Sequence, residues 1–480
     1  MSTISRRDAL KGMGAASMMT AGLPGCAGGT GGKKQPNVVY IIIDEIGYYE
    51  LSCMGHDKHK TPNMDKIVAE GMRFTQALAG GPVCAPTRST LLTGQHLGHT
   101  SVRENPGWTS LRADDFTLGE MFKQAGYATG GFGKWGCGDR GTTGVPELHG
   151  FDEFFGYYHQ VHAHSYYPYY LLHNGEKVPQ PGNSGKPREG GTYAQYEIFN
   201  EAEKFIRNNK DNPFFCYLPW TPPHGRFEMP EDDPSWQLFK DVTWAAGHKQ
   251  ERDIKTYAAM IHMIDRQVGD IMALLKELEL DDDTIVFVCG DNGQGNYFNN
   301  FFQPNGPFRG NKGYLLEGGL RIPMMVRWPG HIKPGEVSDH LWYFPDVMPT
   351  LAEIIGVEPP DNIDGISIVP TLFGDKAGRA QEQHEYLYWE FLGQQAVRMG
   401  DWKAVQPVRN KPRMANVQPG MPWELYDLSK DIGEQNNLAD AHPDILNKMI
   451  AYAKEAHVDN VPGEYLPGGK ELGFQGHDVP

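Results

Sequence analysis

The regular patterning of the chain begins at Asn37-Val-Val-Tyr-Ile-Ile-Ile43, a run without a charge. A near-continuous apolar run of this length predicts a parallel strand buried on both faces. Thr61-Pro62 then supplies an N-cap and a first-turn proline for a helix that Gly71 closes. A second helix, near Thr117–Gln124, ends at Gly126 and feeds the strand-like Tyr127–Phe132. The strongest helical signal lies between Ile254 and Leu280, where Tyr257, Met260, Ile261, Ile264, Val268, Ile271 and Leu275 follow the helical period. Asp281-Asp282-Asp283 is a polar turn before another buried strand, Thr284–Cys289. This alternation predicts an α/β fold, a mostly parallel sheet flanked by helices on both faces.

Two irregular segments interrupt the alternation. Gly156–Gln195 is rich in Tyr, His, Pro and Gly, and Gly293–Arg309 in Asn, Phe and Gly. Loops this long inside a compact domain are usually functional, and their aromatic content argues against disorder. From about Lys376 the pattern changes to short strand-like pieces, Glu385–Phe391, Gln395–Met399, Trp402–Val405 and Glu424–Asp427, with a helix near Pro443–Glu455. The expectation is a main domain over 37–375 and a smaller α+β domain over 376–480 with a short antiparallel sheet.

Charge narrows the partners. The 480 residues carry a formal net charge of −16, and an acidic chain argues against nucleic acid as the main partner. Residues 1–26 hold Arg6, Arg7 and Lys11 against Asp8, +2 in all, so the remainder carries −18. Ser5-Arg6-Arg7-Asp8-Ala9-Leu10-Lys11 resembles a twin-arginine export motif, and the weakly apolar Gly12–Leu23 behind it is too short to span a bilayer. Leu23-Pro24-Gly25-Cys26 resembles a lipoprotein cleavage box; a lipid anchor on Cys26 and a plain cleaved signal both fit it. Residues 27–36 read as a linker, and an exported location, periplasmic or membrane-anchored, is the expectation. Of the six cysteines, Cys216 and Cys289 sit in apolar strand-like runs and read as buried free thiols. Pairing of Cys53 with Cys137 is left open.

Candidate chemistry gathers where strands end. In open parallel sheets, ligands collect beyond the carboxyl ends of the strands. One buried strand here runs into Asp44-Glu45 and the other into Asp291-Asn292. Three carboxylates and an amide are oxygen donors of the kind a hard cation takes, Ca²⁺ ahead of Mg²⁺. Taken singly, each pair reads equally as turn residues.

The segment Pro82-Val-Cys-Ala-Pro-Thr-Arg-Ser-Thr-Leu-Leu-Thr-Gly94 resembles the signature of the type I, formylglycine-dependent sulfatases of the alkaline-phosphatase-like superfamily. Further landmarks of that family follow in order: Asp44-Glu45-Ile-Gly47, Gly126-Tyr-Ala-Thr with Gly133-Lys-Trp135, Pro222-Pro-His224, Gly290-Asp-Asn-Gly293, Arg309-Gly-Asn-Lys-Gly313 with Glu317-Gly-Gly319, and Glu424-Leu-Tyr-Asp-Leu428. The resemblance spans roughly Asn37 to Leu438. It implies that a maturing enzyme oxidises Cys84 to formylglycine, whose hydrate attacks sulfur, with Asp44, Glu45, Asp291, Asn292 and the modified Cys84 around the metal. It further implies that Arg88 holds the nucleophile and metal ligands, Lys134 and Lys312 bind sulfate oxygens, and His224 protonates the departing alcohol.

Two departures stand out. Glu45 occupies the place of the family's usual second Asp, and Gly136 the place of a histidine two residues after the signature lysine. A histidine of Val161-His162-Ala-His164-Ser-Tyr-Tyr-Pro168 replacing it, or binding substrate, and two histidines that merely pack are equal readings. Tyr166 and Arg309 are further candidates for substrate contact. Export and the tyrosines of this loop suit a sulfated mono-, oligo- or polysaccharide, whose apolar faces stack on rings. A phosphodiesterase or phosphonate hydrolase of the same superfamily and a non-catalytic sulfoglycan-binding protein are the alternatives. An intact Cys84–Arg88 motif argues against the last.

Overall fold

The structure, a computed structural model, describes residues 35–106, 109–184, 190–408 and 421–475. The export motif, Cys26 and most of the linker lie outside the described residues. In chain order the strands are β1 (Asn37–Ile43), β2 (Met72–Phe74), β3 (Ala77–Leu78), β4 (Ala128–Lys134), β5 (Glu153–Tyr157), β6 (Tyr170–His173), β7 (Glu176–Pro179) and β8 (Phe214–Trp220). They continue as β9 (Thr284–Gly290), β10 (Met324–Arg327), β11 (Glu336–Ser338), β12 (Trp342–Tyr343), β13 (Leu387–Phe391), β14 (Gln394–Met399), β15 (Trp402–Gln406) and β16 (Glu424–Asp427).

Ten of them form one sheet in the order β11-β2-β10-β9-β1-β8-β4-β5-β6-β7. Its centre, β9-β1-β8-β4-β5, is parallel throughout, while β10 and the β6–β7 pair run antiparallel. Every residue of β1 is buried, as its apolar run requires. Val39, Ile41 and Ile43 face one core with Met64, Ile198, Phe205, Tyr257 and Ile264; Val38, Tyr40 and Ile42 face another with Leu91, Phe122 and Leu351. Those partners come from the helices Pro62–Ala69, Ala194–Asn208 and Glu251–Glu277 on one side, and Cys84–Thr93, Leu118–Gln124 and Val347–Ile355 on the other. Helices thus cover both faces.

The patterned elements formed within a few residues of expectation, Thr117 capping its helix by accepting the Glu120 N–H. The segment Gly156–Gln195 is less irregular than expected. It contains β6 and β7, joined by Asn174-Gly175 at φ 46° and 80°. A two-residue Asn-Gly loop with both φ positive makes a tight hairpin. Ala194–Asn208 and Val347–Ile355 are helices that the sequence reading did not place.

The smaller antiparallel sheet, β13-β14-β15-β16, lies under the helix Pro443–Ala456 on one face. Its other face shares a core with Leu78, Val83, Leu97, Leu315 and Leu320. Residues from Gln35 onward form one compact unit, so the change of pattern near Lys376 marks a change of architecture within it. Cys53, Cys84, Cys137, Cys216 and Cys289 are all free thiols, the last two buried as expected.

Candidate active site

Parallel strands deliver the site. β1 and β9 lie in register with Ile43 opposite Gly290, so Asp44 and Asp291 leave the sheet side by side. The Glu45 N–H donates to Asp291 Oδ1 at 2.8 Å. β4 ends at Lys134, and β8 ends at Trp220, just before the Thr221–His224 turn. The shared direction of these strands is what collects the residues at one edge.

Cys84 opens a helix that is buried along its whole length, and Gly94 closes it in the left-handed conformation. The Cys84 thiol donates to Asp44 Oδ1 at 3.1 Å, and Lys312 Nζ lies 3.4 Å from the sulfur. Arg88, one turn further on, reaches Asp44 at 3.5 Å and Asp291 at 3.3 Å and also donates to the Lys134 carbonyl. Lys134 Nζ donates to Asp44 Oδ2 at 2.6 Å. Lys312 Nζ donates to Glu45 Oε2 at 2.7 Å and contacts His224 Nε2 at 3.1 Å. Asn292 follows Asp291, and among the described residues its buried Oδ1 has no hydrogen-bond partner. Eight of the nine residues expected at the centre are therefore linked by contacts in one cluster, and Asn292 adjoins it in the chain beside Asp291.

Its electrostatics follow from burial and charge. Burial works against the Asp44 carboxylate, but Lys134, with Arg88 and Lys312, outweighs it and holds the group well below the usual range. Asp291 is equally buried and faces the Asp44 charge, which pushes it up to about 7. Burial, then Asp44, push the Cys84 thiol up to about 12 against Lys134 and Lys312. A thiol so held is protonated at neutral pH and is a poor nucleophile as it stands. Burial and Lys312 push His224 well below the ordinary histidine range.

The outer candidates separate. His164 stacks on His224 with ring centroids 4.7 Å apart, and the Tyr166 hydroxyl donates to the His224 carbonyl at 2.8 Å. His162 instead packs among Tyr157, Tyr170 and Phe474. Arg309 is spoken for at the edge of the small sheet, where it donates to Tyr426 Oη at 2.8 Å and the Glu434 carbonyl at 2.9 Å beside Glu424. Residues the sequence reading passed over also shape the site. The Gly295 N–H donates to Glu45 Oε1 at 2.9 Å, so Glu45 is gripped at both oxygens. At Gly136, φ is +79° and an added Cβ would lie 2.1 Å from Gln160 Nε2. The space where the family's histidine would begin is filled by Gln160. Glycines in Asp291-Asn-Gly-Gln-Gly295 were the available signal for the first contact; nothing local announced the second.

A second cluster, His96, His99 and Asp364, brings ligand-type atoms within 4.8 Å of one another. The Gly98 N–H donates to His96 Nδ1 at 3.1 Å, which puts the proton of the neutral ring on Nε2, toward Asp364. A metal-binding histidine has the opposite arrangement, donating through one nitrogen to free the other. This cluster is a hydrogen-bonded brace.

Comparison with known proteins agrees with the geometry. The sulfatase family model matches residues 36–357, and a model of the N-sulphoglucosamine sulphohydrolase C-terminal region matches 309–456. The chain is 30% identical to human arylsulfatase A over 470 aligned residues, covering 88% of each. It is 29% identical to the N-acetylgalactosamine-6-O-sulfatase of Bacteroides thetaiotaomicron, covering 87% of this chain and 92% of that one. A solved structure from work on glycosaminoglycan metabolism by Bacteroides thetaiotaomicron superposes with a TM-score of 0.72 at 26% identity, over 88% of this chain and 99% of that one. The phosphonate monoester hydrolase of Agrobacterium radiobacter superposes at 0.62 with 22% identity, over 88% of this chain and 94% of that one, a likeness of fold. With the family model spanning the strands that carry Asp44, Lys134, His224 and Asp291, the chain belongs to the sulfatase family of the alkaline-phosphatase-like superfamily and is a sulfuric ester hydrolase.

Proposed function

We propose that this protein hydrolyses sulfate esters of a carbohydrate, using formylglycine made from Cys84 and a Ca²⁺ ion held beside it. The observation that carries the reading is the placement of Cys84 Sγ, at a buried helix start, 3.1 Å from the Asp44 carboxylate and 3.4 Å from Lys312 Nζ. A carbohydrate is favoured because relatives over most of the chain are named N-acetylgalactosamine-6-sulfatases.

The donor set fits a hard dication. Asp44, Asp291 and Asn292 are fully buried oxygen donors, Asn292 Oδ1 is unpartnered, and Asp44 and Asp291 repel one another. A dication among them would balance that repulsion and supply Lewis acidity toward the sulfate oxygens. Asp44, Asp291 and Asn292 would hold it, with Glu45, paired with Lys312 at 2.7 Å, as the further carboxylate that could join them.

The chain's own groups divide the remaining work. A sulfate ester is an anion, and Lys134, bonded to Asp44, and Lys312, beside Cys84, supply positive charge to receive its oxygens and the charge that builds there. Arg88, pinned by Asp44, Asp291 and the Lys134 carbonyl, fixes the helix start relative to the strand ends. His224 Nε2 points into this group of charges, placed to give a proton to the departing alcohol. Export through the twin-arginine-like segment, with Cys26 as a lipid attachment point, completes the proposal.

Mass spectrometry of the Cys84 peptide from protein co-expressed with a sulfatase-maturing enzyme tests it, together with sulfate release from sulfated sugars. The expected result is thiol-to-aldehyde conversion and sulfate release. An intact thiol in matured protein, or turnover confined to phosphodiesters and phosphonates, overturns it.

A further inference from the structure

His224 has one ring nitrogen engaged and one bare. Nε2 meets Lys312 and Glu45, each at 3.1 Å, whereas the buried Nδ1 has no hydrogen-bond partner among the described residues. Most active-site histidines are oriented by a bond at the far nitrogen. Here that device is missing, and a ring held at one atom is free to tilt about it.

What constrains the ring is His164. The two imidazoles are stacked with centroids 4.7 Å apart and planes 12° from parallel. The same short loop also holds the main chain of the acid, through the Tyr166 hydroxyl on the His224 carbonyl at 2.8 Å. The loop is itself tied down, since the Tyr157 hydroxyl donates to the Ser165 carbonyl at 2.6 Å. His164 is partly exposed while His224 is buried beneath it. Burial, then Lys134 and Lys312, push His164 down to about 3, so its ring stays neutral. A neutral ring stacks on His224 without repelling it.

We propose that His164 is a positioning residue of this sulfatase: stacked on His224, it holds the imidazole in the plane from which the leaving alcohol is protonated. It does this in a chain whose Gly136 position is closed by Gln160 and carries no histidine. The proposal rests on the general-acid reading of His224, and leaving-group dependence separates the two. A poor leaving group needs the proton; a good one departs without it.

The matured enzyme and its His164→Ala, His164→Phe and His224→Ala variants are assayed on 4-nitrophenyl sulfate, phenyl sulfate and N-acetylgalactosamine 6-sulfate. For His164→Ala, kcat on the two poor leaving groups is expected to fall by about tenfold or more, KM staying within about threefold, while 4-nitrophenyl sulfate changes by less than about threefold. His164→Phe, which restores a flat ring, is expected to recover most of the loss. Equal losses on all substrates, a rise in KM alone, wild-type rates, or no rescue by Phe overturns the proposal. If His164→Ala fails to fold, His164→Leu, of similar size but without a flat ring, takes its place: a loss confined to poor leaving groups that His164→Phe recovers supports positioning, wild-type rates overturn it, and the same loss in His164→Phe assigns the proton transfer to His164 itself and overturns it. If His224→Ala shows no leaving-group dependence, the general-acid reading falls and this proposal with it; dependence in His224→Ala without dependence in His164→Ala overturns this proposal alone. No turnover of any of the three by the matured wild type overturns both.

Discussion

At Gly136 the backbone is left-handed and the Gln160 amide occupies the side-chain space, its Nε2 also donating to the Gly136 carbonyl at 3.3 Å. Both features oppose any side chain there. Gly136→Ala is expected to destabilise by about 1–3 kcal/mol through φ strain, with the clash in addition. Gln160→Ala in the same chain should recover the clash and leave the strain, so urea midpoints of the two variants ought to differ; identical midpoints would show that Gln160 does not fill the site. Glu45 illustrates what side-chain identity alone leaves open. Its position after β1 marks it as a metal-ligand candidate, yet its carboxylate is held by Gly295 N–H and Lys312, from segments about 250 residues away. Which oxygen partners a carboxylate meets depends on those distant segments. His162 and His164 were indistinguishable in sequence for the same reason.

The elements carry their own dependencies. Glu317 is fully buried among Arg321 at 2.5 Å, Lys403 at 3.0 Å and Arg398 at 3.6 Å, and Lys403 also reaches Glu434 at 3.0 Å. Lys403 lies on β15 and Glu317 follows the Lys312 loop, so this network ties the small sheet to the active-site wall. Lys403→Met would leave two buried carboxylates sharing one space, and is expected to cost about 3–5 kcal/mol by denaturant unfolding. At the start of the Val347–Ile355 helix, His384 Nε2 meets Asp346 Oδ1 at 2.7 Å. Burial opposes the charged ring, but Asp346 outweighs it and raises His384 above its ordinary value. A raised folded-state pKa contributes stability that is complete below the unfolded value and is lost as pH rises through the folded one. His384→Gln should therefore narrow its deficit relative to wild type on going from about pH 5.5 to about pH 9. A deficit that widens would refute the pairing. The β6–β7 hairpin shows the limit of element prediction, because its Asn-Gly signal was present but was masked by neighbouring Tyr, His and Pro. Residues Ala194–Asn208 place Ile198, Phe199, Ala202 and Phe205 at helical spacing on one buried face.

For the molecule as a whole, the acidic pair at the ends of β1 and β9 brings two buried carboxylates together, a repulsion that the proposed cation would relieve. Ca²⁺ added to chelator-treated protein is expected to raise the melting temperature, an ion at about 100 times its Kd contributing about 2.7 kcal/mol. Asn292→Ala should weaken that response without changing the metal-free melt much; no Ca²⁺ response in the wild type would count against the metal. By itself the sequence determined the parallel sheet, since runs such as Asn37–Ile43 have no polar face to leave in water. It also determined the Cys84 segment and the order of the landmarks, because these are local strings of residues. The tertiary structure decided what those strings meet: that Gln160 closes Gly136, that Glu45 turns to Lys312, and that His164 rather than His162 lies on His224. These are contacts between segments distant in sequence, and their geometry is set only when the strands align and the loops pack over their ends.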